Sequence, residues 1–287
     1  MKILNFGSIN KDFFYQVDDF VTPGETISSN RYDIKIGGKG LNQSVGISKA
    51  GNRVYHAGII NNEDKFILDK LKSWKINCDN ILISSKPTGH AIIQVNRKGE
   101  NSIIIHGGAN HDFKLESIKS ILSKFDPGDI LLIQNEINNI EQIIDRAHHK
   151  KMRIIYNPAP FSYKILKYDL NKISTLILNQ TEGEGLSNKK TPNEILKKLN
   201  NNFKNTEIIL TLGKKGSIYS FKNELINIKA HQVDTVDTTG AGDTFIGYYV
   251  AGVASKMNKK DNLERASKAA AVTTTKLGGA ESIPRIN

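Results

Sequence analysis

The chain opens on an apolar run, KILNFGS, that ends at a glycine and reads as a buried strand. Two polar–apolar alternating stretches follow, around 12–20 and 31–36, separated by the turn signal TPGE at 22–25. Lys39 to Ala50 carries helical spacing, and Gly51 closes it. Val54 to Ile59 is again strand-like, and the helix after it puts Phe66, Leu68, Leu71 and Trp74 at core-facing spacing. GHAIIQVN and NSIIIHG then form a second alternating pair, joined by the hairpin signal RKGE.

Beyond about residue 112 the pattern changes. DILLIQ, MRIIYNP, TLILN and EIILTLG are continuous apolar strands, with SIKSILSKF, IEQIIDRAHHK and NEILKKLNN among the helices between them. This alternation predicts an α/β fold with a doubly wound, mostly parallel sheet flanked by helices. IYSF and ELINI near 218–228 read as another hairpin, and two helices, about 243–256 and 261–276, follow. The first of these shows an apolar stripe of Phe245, Tyr248, Tyr249 and Val250. The four alternating strands of the first 110 residues do not fit the parallel pattern. They are expected to form a small β-sheet lid, from about 12–36 and 88–106, projecting from a single domain spanning 1–287.

Bulk properties narrow the classes. A length of 287 residues, 38% hydrophobic and 24% charged, suits one large globular domain. No run of about 18 apolar residues could span a bilayer, and MKILNFGSIN lacks the apolar core and cleavage site of a secretory signal. The single cysteine, Cys78, excludes a disulfide framework or multi-cysteine metal site, points to a reduced cytoplasmic setting, and is expected half-buried and inert. A net charge of +11 invites nucleic acid as a partner. The lysines, however, are spread as pairs at 150–151, 189–190, 197–198 and 259–260, without an arginine-rich arm or aromatic–basic interleaving. Neither nucleic acid nor membrane is expected as a partner. A positive field would help gather a polyanion such as a nucleoside triphosphate.

Candidate chemistry lies at two glycine clusters. Gly240-Ala241-Gly242 stands where a helix must nucleate, although glycine costs roughly 1 kcal/mol there relative to alanine. A helix N-terminus exposes free N–H groups and a partial positive charge, so glycines there admit an anion to the backbone. Asp243 on the first turn would repel a phosphate, a tension that resolves if it is a general base for an attacking hydroxyl; the plain alternative is a carboxylate complementing the helix dipole. GGKGLNQ at 37–43 precedes another helix and offers Lys39 and Asn42 beside Gly37, Gly38 and Gly40. It is neither GxxxxGK[ST] nor GxGxxG, so a P-loop or dinucleotide site is not supported. His106, His148 and His149 show no metal-ligand spacing, and the last two are expected to face solvent.

Taken together, GSIN at 7–10 with Asp12, TPGET at 22–26, GGKGLNQ and DTTGAGD at 237–243 resemble the ribokinase-like (PfkB-type) carbohydrate kinase family. TGHAIIQVN, GENSIIIHGGAN, NPAP and LTLGKKG match in order and spacing, so the resemblance runs nearly the whole length. It implies a ribokinase-like fold and an enzyme that phosphorylates the primary hydroxyl of a small sugar with ATP; GSINxD points within the family to D-ribose. Asn10, Asp12, Gly38, Lys39, Asn42 and Glu136 would then hold the sugar. Asp243 would be the base, and Gly240, Ala241 and Gly242 the anion hole. Asn179 and Glu182 would organise Mg2+ and phosphate, with Gln180 standing where an acidic residue is common. Thr211, Gly213 and Gly216 would run past the nucleotide. Oxygens near Asp237, Thr239, Thr273, Lys276 and Gly278, with the Ser282 hydroxyl, would hold a monovalent cation, K+. A homodimer through the lid sheet is also implied. Sibling acceptors (deoxyribose, fructose, adenosine or another nucleoside) and a silent sugar- or nucleotide-binding protein stay open.

Overall fold

The computed structural model describes residues 1–286. In chain order the elements are β1 (Ile3–Phe6), β2 (Asn10–Gln16), β3 (Arg31–Gly37), α1 (Lys39–Lys49), β4 (Val54–Ala57), β5 (Ile59–Asn61), α2 (Phe66–Ser73), β6 (Leu82–Ser84), β7 (Gly89–Val95) and β8 (Asn101–His106). Then come α3 (Leu115–Ser123), β9 (Ile130–Gln134), α4 (Ile140–His149), β10 (Arg153–Asn157), β11 (Thr175–Asn179), α5 (Gln180–Ser187), α6 (Pro192–Asn202) and β12 (Glu207–Thr211). The hairpin β13 (Ser217–Phe221) and β14 (Glu224–Ile228) leads to α7 (Ala241–Ala254) and α8 (Lys259–Thr273).

The main sheet runs β14-β13-β12-β11-β10-β9-β1-β4, parallel from β4 to β12 and antiparallel in the last two strands. Its apolar runs are continuous because both faces are covered. Leu4, Leu131, Ile154, Leu176 and Ile208 pack into one core layer with α3–α6. Ile3, Ile130, Ile155, Ile177 and Ile209, their chain neighbours, pack into the other with α1, α2, α7 and α8. The smaller sheet, β3-β2-β7-β8, pairs β2 with β7 in parallel and the other neighbours antiparallel.

Several local expectations are corrected. Gly58 breaks the Val54 to Ile59 run, and Ile59–Asn61 forms a two-stranded parallel sheet with β6. Phe66 is 53% exposed because the inward face of α2 is set by Ile67 and Leu71, about 100° around the helix. The alternation around 12–20 becomes a strand that starts at Asn10 and ends at Gln16. Each of the last two helices begins two residues early, α7 on a left-handed Gly240 and α8 on Asn258, whose side chain accepts the Asp261 N–H. The apolar stripe of α7 extends all round, with Asp243 to Gly252 buried without interruption, as suits a helix enclosed on every side. Cys78 is half-buried as expected, and burial pushes its thiol up. Among the described residues, no helix is long and apolar enough to cross a membrane.

Candidate active site

The site begins where β1 runs under the start of α1. A Cβ on Gly40 would collide with the backbone of Gly7 and Ser8, so that glycine lets helix and strand end touch. The Leu41 N–H donates to the Ser8 carbonyl at 3.0 Å and the Gly40 N–H to the Ser8 Oγ at 3.2 Å. Gly38 adopts φ 97°, a left-handed conformation that a side chain would strain. Gly37 leaves the space that the Asp12 carboxylate fills. The glycines of GGKG thus serve three separate packing needs.

On the facing side, Gly240 caps α7 at φ 78° with no side-chain cap. The Ala241 N–H turns back to the Thr238 carbonyl at 3.2 Å, whereas the Gly242 and Asp243 amides have no backbone acceptor among the described residues. A Cβ on Gly242 would meet nothing within 4 Å, so open space lies in front of the helix end. α1 and α7 cross at two glycines: a Cβ on Gly247 would lie 2.8 Å from the Gly46 Cα and 2.6 Å from the Gln43 carbonyl. One turn earlier, this close crossing presses Asn42 and Gln43 against Asp243. The Asn42 Nδ2 donates to Asp243 Oδ2 and the Gln43 Nε2 to Oδ1, both at 3.0 Å. The carboxylate is 8% exposed.

Lys39 is the electrostatic centre. The Asp243 carboxylate raises its ammonium above the ordinary lysine value; burial opposes this, and Glu136 and Glu182 add to it. Glu136 accepts the Lys39 N–H at 2.9 Å and the Ser8 hydroxyl. Burial pushes its carboxyl up, against the pull of Lys39. Asp12 rises to about 7, through burial first and the neighbouring Glu136 second, with Lys35 opposing. Asn10 accepts from the Asn110 Nδ2 at 2.7 Å, and Asn110 in turn accepts the Ile9 N–H at 3.0 Å. Two buried carboxyls beside buried amides present oxygens that can accept from hydroxyl donors.

A cavity of about 240 Å³ lies on the other side of Lys39, lined among others by Asn179, Glu182, Thr211, Gly240, Gly242 and Asp243. Asn179 and Glu182 cap α5 reciprocally: the Asn179 N–H donates to Glu182 Oε2 and the Glu182 N–H to Asn179 Oδ1, each at 2.9 Å. Burial holds the Glu182 carboxyl above its ordinary value despite those bonds and Lys39. Gly213 and Gly216 do not line this cavity. Gly216, at φ 94°, packs on the backbone of Ile228 and Ala230, and its carbonyl accepts the Leu212 N–H at 2.8 Å.

The oxygens expected around a monovalent cation lie in two segments that are tied together. Asp237 accepts the Thr239 N–H at 2.9 Å and the Gly278 N–H at 3.0 Å. Burial opposes its charge, yet those bonds keep its carboxyl below the ordinary value. The Ser282 hydroxyl donates to the carbonyls of Gly278 and Gly279, and the Lys276 N–H reaches the Thr273 carbonyl at 3.4 Å. Among the described residues no group of three or more His, Cys, Asp or Glu could hold a metal. His148 and His149 are exposed on the last turn of α4.

Residues outside the expected set complete the site. Gln43 joins Asp243 to Asn157 and Gln134, and Gln134 joins it to Asn5. A signal existed for them: Asn5 and Gln134 are single amides in otherwise apolar strands, and Asn157 is the amide that ends the Ile154-Ile155-Tyr156 run of β10. Asn110 follows the lid strands, where nothing in spacing points back to Asn10.

The profile of the pfkB family carbohydrate kinases matches residues 1–286. The chain is 32% identical to the ribokinase of Staphylococcus aureus over 295 residues, covering 99% of this chain and 96% of that one. The structure superposes on the ribokinase of Thermotoga maritima with a TM-score of 0.88 at 30% identity, covering 99% and 96% of the two chains. An Arabidopsis thaliana ribokinase complexed with ribose and ATP gives a TM-score of 0.85 at 27% identity, covering 99% and 95%.

Proposed function

The chain belongs to the pfkB family of carbohydrate kinases, and on that footing we propose that it transfers the γ-phosphoryl group of ATP to the primary hydroxyl of D-ribose, giving D-ribose 5-phosphate and ADP. The observation that carries this reading is the Asp243 carboxylate, gripped by two amides at an open helix N-terminus, with Lys39 between it and the Asp12–Glu136 pair. Asp243 takes the proton of the attacking hydroxyl. The amides at Gly240, Ala241 and Gly242 and the α7 dipole receive the charge spreading over the transferred group, and an anion displaces the long Ala241 to Thr238 bond. Positioning supplies most of the rate in phosphoryl transfer.

The sugar lies among Asn10, Asp12, Gly38, Lys39, Asn42 and Glu136. Asn42 Oδ1 is buried without a partner among the described residues, and a sugar hydroxyl would supply one. ATP runs along the cavity past Thr211 towards the Gly213–Gly216 turn. Mg2+ would be held beside Asn179 and Glu182, which line the cavity and carry amide and carboxyl oxygens suited to a hard cation; bound there, it would neutralise the phosphates. The all-oxygen donors at Asp237, Thr239, Thr273, Lys276, Gly278 and Ser282 suit a hard cation such as K+. ATP supply and the single thiol favour the cytoplasm as the compartment.

The test is ADP release with Mg2+ across ribose, deoxyribose, fructose and adenosine, in potassium and in sodium buffer. Ribose is expected to lead deoxyribose by at least about tenfold, the smallest loss expected for one hydroxyl bonded to a charged acceptor, with stimulation by potassium. Preference for another acceptor would overturn the sugar assignment, and equal rates in both salts would remove the cation site.

The lid sheet also carries an association surface. Every residue of the edge strand β8 is exposed, including Ile103, Ile104 and Ile105 at 49%, 65% and 59%. Such an edge calls for a partner, and a second copy of this chain is the occupant proposed. Size-exclusion chromatography is expected to give twice the 31.9 kDa chain mass, and Ile104→Lys to halve it. A monomer at high concentration would end the proposal.

A further inference from the structure

We propose that Gln43 is a positioning residue for phosphoryl transfer: its side-chain amide, itself held by Gln134, fixes the plane of the Asp243 carboxylate towards the sugar hydroxyl. The proposal rests on Asp243 being the base. An ionised carboxylate only accepts hydrogen bonds, so Gln43 must turn its NH2 towards it. That leaves the Gln43 Oε1 facing the sheet, where it accepts from the Gln134 Nε2 at 2.6 Å. Gln134 Nε2 also donates to Asn5 Oδ1 at 3.0 Å, and the Asn5 Nδ2 donates to the Gly40 carbonyl at 2.7 Å and the Ser44 Oγ at 2.8 Å. A second branch runs from the Gln43 Nε2 to Asn157 Oδ1 at 3.2 Å, and from the Asn157 Nδ2 to the Ile177 carbonyl at 2.9 Å.

Every amide in this chain is buried, and Asn5, Gln134 and Asn157 stand on the central strands β1, β9 and β10. Burying primary amides is costly unless each finds its partners. Here each orientation follows from the one before it, the Gln134 Oε1 alone of these four side chains' amide oxygens lacking a partner among the described residues, and the series ends on the one charged group, Asp243. Asn42 alone, bonded to Oδ2, would leave the carboxylate free to turn; a second donor on Oδ1 sets its plane. At the far end Ser44 Oγ lies 2.8 Å from His56 Nδ1, and burial pushes that imidazole down to about 4, so it stays neutral at working pH. The charged groups facing Asp243 are Lys39, Glu136 and Glu182.

The test compares the full chain with Gln43→Glu, which keeps an acceptor for Gln134 but presents no amide to Asp243, and with Gln43→Met, which removes both ends at similar volume. In each, kcat is expected to fall about 100-fold, the cost of a misplaced reacting group, with KM for both substrates within about twofold. Binding of ADP by calorimetry checks that each variant is folded. Gln134→Met leaves the Gln43–Asp243 bond in place and loosens only its support; a smaller loss of about tenfold in the same direction is expected. A folded Gln43→Glu with kcat within about threefold of the parent overturns the proposal. So does a rise in KM at constant kcat. Asp243→Asn, run in parallel, separates the failures: an inactive Asp243→Asn beside an active Gln43→Glu removes only the positioning role, whereas an active Asp243→Asn removes the base assignment as well.

Discussion

Asp243→Asn is expected to lower kcat about 1,000-fold while leaving ADP binding and the KM for sugar within a few-fold of the parent. The substitution keeps size and shape, so the crossing of α1 and α7 at Gly46 and Gly247 is undisturbed. One of the two bonds, from Asn42 or from Gln43, is lost, because an asparagine turns its own NH2 towards one donor. That costs about 1 kcal/mol of stability, a fall of a few degrees in Tm. What disappears is the carboxylate at the mouth of the α7 N-terminus that we propose takes the proton of the attacking hydroxyl. Steady-state kinetics with a coupled ADP assay, next to a melting curve, decides the matter. A kcat within about tenfold of the parent would mean that positioning alone drives the reaction and that Asp243 serves only to complement the helix dipole.

The second large effect belongs to Asp12. Asp12→Asn is expected to lower kcat/KM for the sugar by about 100-fold, since hydrogen bonds to a charged acceptor are each worth about 1.5–3 kcal/mol. It should leave KM for ATP unchanged. The pH dependence is the sharper signature. Burial and Glu136 raise the Asp12 carboxyl from its ordinary 3.8 to about 7, so at pH 6 the free protein holds it mostly protonated. A protonated carboxyl is a poorer double acceptor for a diol, so kcat/KM should rise with pH through about 7 and then level off. For stability the direction is opposite. The protonated form favours folding fully below 3.8, and that contribution fades as pH climbs and is gone above about 7. Because Glu136 is also pushed up by burial, the limb belongs to the pair, and Asp12→Asn should flatten or displace it. A limb that persists unchanged in Asp12→Asn would assign the titration elsewhere and leave Asp12 as a carboxylate of β2 that fills the space beside Gly37.

Much of this site was legible along the chain. DTTGAGD marked the helix start that exposes free amides, and the apolar runs after residue 112 carried a doubly wound sheet in their spacing. Such features depend on a few adjacent residues, through period, capping and backbone freedom, and so survive in one dimension. Phe66 was misplaced because a helix of two turns offers few positions to set the phase of its inward face, and Ile67 with Leu71 took it. The Val54 to Ile59 run hid a break because Gly58 is silent as to which strand follows.

By itself the sequence determined the alternation of strands and helices that builds the main sheet, the two glycine-rich loops, and the residue types that can accept a proton, grip a diol or face a phosphate. Only the tertiary structure decided which of them meet. It assigned Gly40 to contact with Gly7, Gly37 to the Asp12 carboxylate and Gly247 to Gly46, where the sequence offered only permissive glycines. It set Lys39 among Asp243, Glu136 and Glu182, and linked Gln43 to Gln134 across 91 positions of chain and Gln134 to Asn5 across 129. The physical reason is range. Turn chemistry and periodicity act between neighbours, whereas pKa shifts and buried amide networks depend on burial and on charges brought together from distant segments, which no local pattern encodes.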